Sequence, residues 1–173
     1  MRELEFDEEM MDTAMEWSKS HVKKFHHNIL NGKAQVMGSF AGRLGELALS
    51  KYLGTDIADN KDYDMVVGGK KLEVKTKQRA VKPRPDYIVQ VAVYSKHQRP
   101  DAYAFLSLQY GDRDSGGKYV DPQHLWLCGF KTTEDYFSES ELWPKGYVDP
   151  NMPSYTTRSD MHVLTIDKLD ERL

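Results

Sequence analysis

Gly68-Gly69, set between two runs of alternating apolar and polar residues in YDMVVGGKKLEVKTK, constrains the fold more than any other feature of the chain. Paired glycines between such runs signal a two-residue β-hairpin. A turn that tight sets a register: Val67 opposite Lys70, Met65 opposite Leu72, and Asp64 opposite Glu73. Side chains alternate along a strand, so Met65, Val67, Leu72 and Val74 line one face, and Asp64, Glu73 and Lys75 share the other. Two carboxylates directly across a ladder repel, which destabilises the sheet unless something compensates. A divalent cation would compensate, with the lysine beside it. Asp62, opposite Lys75 in the same register, is the rival aspartate.

The hairpin is followed by a concentration of positive charge. Lys70, Lys71, Lys75, Lys77, Arg79, Lys82 and Arg84 fall within fifteen residues, with Glu73 the only acid among residues 70–84. Alternation puts Lys71, Lys75, Lys77 and Arg79 on the Glu73 face. A basic run alone reads as a solvated strand surface. Around a carboxylate pair it reads as phosphate contacts flanking a metal site. The net charge of −3 matters here, because it argues against a uniformly basic nucleic-acid binder and places any such role on this local patch.

Upstream, residues 7 to about 30 predict a helix: Met11, Ala14, Met15, Ser18, Val22, Phe25 and Ile29 recur at helical spacing, acids open it, and Asn31-Gly32 can close it. A second helix is predicted from Ala34 to Leu53, ending at Gly54. Val36, Phe40, Leu44, Leu47 and Ala48 form one apolar face; Gly38, Gly42, Gly45, Leu49 and Leu53 form another, small enough for close backbone approach. Glu46 borders the glycine face, where it is a candidate for pointing at the hairpin. Strands are predicted at 62–67, 70–77, 87–94, 102–109, 123–130 and 161–166. Residues 81–86 form a proline-stiffened loop, 111–118 a turn at a long hairpin tip, 133–138 a short helix, and 144–153 an irregular segment. The class is α/β with a central mixed sheet and flanking helices.

Composition narrows the alternatives. A hydrophobic content of 39% and a charged content of 29% suit a globular chain with a sizeable core. No apolar run approaches the ~18 residues of a membrane span, and the opening MRELEFDEEMMD lacks a basic-then-apolar leader, so no membrane partner and a reducing cytoplasm (a host's, if phage encoded) are expected. Cys128 is the only cysteine, which excludes an intramolecular disulfide and a thiolate zinc cluster.

A helix carrying Glu46 in GRLGELALSKYLG, then Asp64 in DYDMVV and Glu73-Val74-Lys75 in KKLEVKT, resembles the PD-(D/E)XK nuclease superfamily. Tyr63 stands where the superfamily's name has proline. The resemblance spans roughly residues 36 to 130. It implies a restriction-endonuclease-like αβββαβ core with an extra N-terminal helix, within one domain: helix 1–33, core 34–130, C-terminal elaboration 131–173. It also implies a Mg²⁺-dependent DNA nuclease, endo or exo, with Mn²⁺ able to substitute. Asp64 and Glu73 supply hard oxygen ligands suited to such an ion. By the resemblance the Val74 carbonyl adds a ligand, Lys75 attends the attacking water, and Glu46 binds the ion through water or holds a second one. Gln78 falls where some exonuclease-like members carry a supporting glutamine. Lys71, Lys77, Gln78, Arg79, Lys82 and Arg84 are the DNA-contacting set. Since many relatives cut two strands as dimers, a homodimer is one assembly implied. A catalytically silent nucleic-acid-binding or interaction module on the same fold is the alternative.

Other signals are weaker. His26 and His27 are adjacent on a predicted helix and point about 100° apart, which does not suit one metal. His97, His124 and His162 lack partners at ligand spacing. Cys128 sits in an apolar strand and reads as core. Trp126, Phe105, Tyr103 and Leu127 read as core before base-stacking platforms.

Overall fold

The computed structural model describes residues 1–22, 32–58, 61–93, 98, 100–113, 119–150 and 155–173. In chain order these give β1 (Arg2–Leu4), α1 (Glu8–Val22), α2 (Gly32–Leu53), β2 (Met65–Val67), β3 (Lys70–Arg79), β4 (Ile88–Ala92), β5 (Ala102–Arg113), β6 (Tyr119–Thr132), α3 (Thr133–Glu139), β7 (Glu141–Trp143) and β8 (Met161–Thr165), with a 3₁₀ turn at Ile166–Lys168. The class is α/β, as the sequence predicts. Within the described residues one sheet has the order β1-β6-β5-β3-β2 and a second the order β4-β8-β7. The larger sheet is mixed: β3 runs parallel to β5, and the remaining neighbours are antiparallel. Among the described residues no helix is long and apolar enough to cross a membrane.

Alternation along β3 and β5 builds two cores. Leu72, Val74, Ala102, Ala104, Leu106 and Leu108 face α1 and α2, where Ala14, Phe40, Leu44, Ala48 and Leu49 cover them. Tyr103 and Phe105 point the other way, onto Val89, Val91, Leu164, Ile166 and Tyr136 of the second sheet and α3. A register shift between Phe105 and Leu106 rephases β6, so Leu125 and Leu127 join the helical side while Cys128 turns to the opposite one. Cys128 is buried, and burial pushes its thiol pKa up, which suits a core residue rather than a nucleophile.

Local chemistry accounts for the helix ends. Asp7 accepts from the Met10 amide at 2.9 Å and opens α1, followed by Glu8 and Glu9 in the first turn. Gly54, at φ 64°, lets the chain leave α2. The Thr132 hydroxyl caps α3 by accepting from the Asp135 amide.

Several expectations need correction. Of the helix predicted over 7 to about 30, α1 accounts for residues to Val22; Phe25 and Ile29 lie outside the described residues, as do His26, His27 and His97. β1 is too short at three residues to show alternation, yet it adds an edge to β6. Of the turn predicted at 111–118, residues 111–113 belong to β5, which continues to Arg113, and residues 114–118 lie outside the described residues. The strand predicted at 87–94 leaves the central sheet. Two prolines in Val81-Lys82-Pro83-Arg84-Pro85-Asp86 deny the chain ladder donors there, and β4 emerges paired with β8. One face of the central sheet is therefore flanked by a small sheet and the short α3 rather than by long helices.

Gly45 sets how close α2 lies to β3. A β-carbon there would overlap the Thr76 hydroxyl oxygen and lie 3.3 Å from the Thr76 Cβ. Gly45→Val is expected to destabilise the protein by about 2 kcal/mol or more through overpacking, read as a lower urea midpoint in chemical denaturation.

Candidate metal and phosphate site

The hairpin has the register that its glycines predict. Val67 pairs with Lys70, Val66 with Lys71 and Met65 with Leu72. Gly68 and Gly69 take φ of 57° and 82°, the two positive values of a type I′ turn. Asp64 continues the ladder by one bond, its amide donating to the Leu72 carbonyl at 2.9 Å. There β2 ends and β3 runs on alone. The Asp64 carboxylate folds over the vacated edge and accepts from the Val74 amide at 2.7 Å. In a strand the N–H and C=O of one residue point the same way, and Lys71, of opposite parity, exchanges its bonds with Asp101 on the β5 side. The Val74 carbonyl therefore faces the edge that Asp64 overhangs.

On the adjoining face Glu73 is buried, only 5% exposed, and its carboxylate accepts from Lys75 Nζ at 2.6 Å. Lys75 also reaches Gln98 Oε1 at 3.4 Å, and Gln98 in turn donates to the Lys61 carbonyl. Asp62, the rival aspartate, is exposed, and the Lys75 ammonium is directed to Glu73 and Gln98 instead. Glu46 comes in from α2, where it accepts from Arg43 Nη1 at 2.8 Å. Its charge and that of Glu73 are close enough to act on each other and on Asp64. Burial pushes the Asp64 carboxyl up to about 8, with Glu46 and then Glu73 adding to the rise; the Val74 amide and Lys75 only partly oppose it. Burial raises Glu46 as well, against the pull of Arg43.

The basic residues divide into two groups. Lys71 is exposed, its ammonium 5.6 Å over the Tyr63 ring. Lys82 is exposed and lies 4.1 Å over Trp126; Arg84 pairs with Asp86 and stacks on Tyr87. Lys77, Gln78 and Arg79 act as joints. Gln78 donates to the Met37 carbonyl on α2 at 2.6 Å, and Arg79 donates to Ser107 and to the Ile88 carbonyl, tying the two sheets together. Lys77 donates to Gln90 across the same gap, and burial, then Arg79, lowers its pKa to about 8. Between α2 and β4 lies a cleft of about 290 Å³, bordered by Gly42, Lys75, Lys77 and Gln90. It follows the part of β3 that β2 leaves uncovered.

Arg43, Gln98 and the joint role of Arg79 had no signal in the sequence. Arg43 is visible only as one turn before Glu46, and Gln98 lies in a polar stretch without periodicity. Trp126, read as core, is half-buried and donates to Gln109 beneath Lys82. His124 pairs with Glu3 at 2.6 Å, and His162 packs edge-on against Phe137, so both serve the scaffold.

Among the described residues no group of three or more His, Cys, Asp or Glu side chains is arranged to hold a metal ion. Each carboxylate is instead held by a protein donor: Glu46 by Arg43, Asp64 by the Val74 amide, Glu73 by Lys75. Mg²⁺ asks for less than such a group, since it takes one or two carboxylates and completes its shell with waters and phosphate oxygens. Asp64, Glu73 and the Val74 carbonyl fit that requirement by donor type, and the like-charge crowding at Asp64 is what a divalent ion would relieve. No family model matches the chain, and no curated protein or solved structure matches it either.

The folded protein holds the Asp64 proton up to about pH 8, whereas the unfolded chain releases it near 4. Between those values the native state binds more protons than the unfolded state, so stability in EDTA falls as pH rises from about 4 to about 8. Asp64→Asn is expected to flatten this slope and, at pH 8, to raise stability by on the order of 1 kcal/mol, measured by urea denaturation across pH.

Proposed function

We propose that this chain is a Mg²⁺-dependent DNA nuclease with a restriction-endonuclease-like core. One observation carries the reading: Glu46, Asp64 and Glu73 converge with Lys75 where β2 abandons β3, and burial, with the charges of Glu46 and Glu73 adding to it, pushes Asp64 to about 8. Crowding of this kind is costly, and it is characteristic of sites tuned for chemistry. The order α2, β2, β3 and the Asp…Glu-x-Lys hairpin support the superfamily reading.

Asp64, Glu73 and the Val74 carbonyl would hold one Mg²⁺, with Mn²⁺ as a substitute. The bound ion supplies a Lewis acid for phosphodiester oxygens and a coordinated water of lowered pKa. Lys75, held by Glu73 and Gln98, orients the attacking water or stabilises the extra negative charge of the pentavalent phosphorus. Glu46, held by Arg43, would accept from a water of the ion's shell. Attack forms one P–O bond and breaks another, and the departing alkoxide takes its proton from solvent. Lys71, Lys82 and Arg84, which are exposed, would meet backbone phosphates, while Lys77, Gln78 and Arg79 keep α2 and the second sheet in place.

Supercoiled, linear, single-stranded and four-way-junction DNA, incubated with Mg²⁺ and with EDTA, tests the reading. Cleavage of at least one substrate is expected in Mg²⁺ and none in EDTA. Asp64→Ala, Glu73→Ala and Lys75→Ala should each lower the rate by about 10²-fold or more with the circular dichroism spectrum unchanged. Full metal-dependent activity after both carboxylate substitutions would refute the assignment. DNA binding with no cleavage at any Mg²⁺ concentration would point to a silent binding module.

A further inference from the structure

We infer that Arg43 limits this site to one divalent ion, its guanidinium standing beside Glu46 where a second ion would otherwise sit. The inference rests on the proposed function and concerns how many ions the site takes.

The geometry begins with α2. Arg43 lies one turn before Glu46, and its Nη1 donates to Glu46 Oε2 at 2.8 Å. From above, Trp17 of α1 covers the guanidinium, the Arg43 Cζ lying 5.3 Å over the Trp17 ring. Trp17 is itself stacked on His21, ring centroids 4.2 Å apart. Arg43 is thus pinned between a carboxylate and an indole, with four-fifths of its side chain out of solvent (21% exposed). Its Nε–H is buried with no hydrogen-bond partner among the described residues. A guanidinium keeps its charge at any working pH, and its planar fork suits simultaneous contact with a carboxylate and a phosphate.

Charge then decides the stoichiometry. With their carboxyls ionised, Glu46, Asp64 and Glu73 bring three negative charges, and Arg43 and Lys75 return two. One divalent ion leaves the cluster with a single positive charge, which one phosphodiester neutralises. A second ion would leave an excess that a phosphodiester cannot cancel, in surroundings buried enough for the repulsion to be felt. The carboxylate that would receive a second ion is Glu46, and Arg43 already occupies its outer oxygen. Removing the guanidinium charge reverses the balance: Glu46 is freed, and a second ion becomes admissible.

Mn²⁺ binding to the full chain, followed by EPR of free ion and by isothermal titration calorimetry, tests this without reference to turnover. One Asp64-dependent ion is expected in the wild type. In Arg43→Gln the affinity for the first ion should rise at least about tenfold and a second ion should bind. Arg43→Lys, which keeps the charge but loses the fork, should still bind one, so a folding defect in the glutamine variant would not decide the question. Two ions in the wild type, or wild-type stoichiometry and affinity in Arg43→Gln with its fold intact, would overturn the inference alone. Absence of any ion lost on Asp64→Asn would overturn the metal reading and the inference with it.

Discussion

Like charge held together beside the unpaired edge of β3 is the constraint that gives the rest of the structure its meaning. Strand pairing puts Glu73 beneath the second sheet, the tight turn swings Asp64 over the Val74 amide, and α2 carries Glu46 alongside. None of these carboxylates is placed where folding alone would favour it. Each is tolerated because a specific donor answers it, and each donor is itself fixed: Arg43 under Trp17, Lys75 by Gln98, the Val74 amide by the strand. The scaffold holds the crowding in place against its own preference.

The same edge explains the shape of the molecule around it. β2 is only three residues long, so β3 is paired on one side over most of its length and leaves an open margin. The parallel β3–β5 ladder secures the other side over eight residue pairs. Gly45 brings α2 against Thr76, and Gln78 clips α2 about two turns earlier through the Met37 carbonyl. Arg79 and Lys77 hold β4 away on the opposite layer. The result is a cleft lined along β3 by Val74, Lys75, Thr76 and Lys77.

The turn and the register of Met65–Val67 were legible in the sequence, because glycines at both central positions admit one turn geometry. The strand predicted from residue 62, however, starts at Met65, and the predicted Asp64–Glu73 pair gives way to Asp64 bonding the Leu72 carbonyl and the Val74 amide. One apolar face of α2 was legible because Phe40, Leu44 and Ala48 repeat with the helix, whereas the predicted glycine face makes its close approach at Gly45, with open space at Gly38 and Gly42. The second sheet was not. Its strands pair across long sequence separations, β4 with β8 and β8 with β7, and no local pattern records a partner seventy residues away. Nor could the run of basic residues disclose that Lys77, Gln78 and Arg79 turn inward while Lys71, Lys82 and Arg84 stay out. That division depends on which layer covers each strand position. Arg43 was missed because one salt bridge a turn apart on a helix looks like any solvent-exposed pair until burial shows otherwise.

Anomalous scattering from crystals soaked in Mn²⁺ would locate the ion. A peak is expected between the Asp64 and Glu73 carboxylates, within coordination distance of the Val74 carbonyl, with Lys75 displaced from Glu73 toward solvent or phosphate. Well-ordered crystals at millimolar Mn²⁺ with no peak there, and with Lys75 still bonded to Glu73, would contradict that placement.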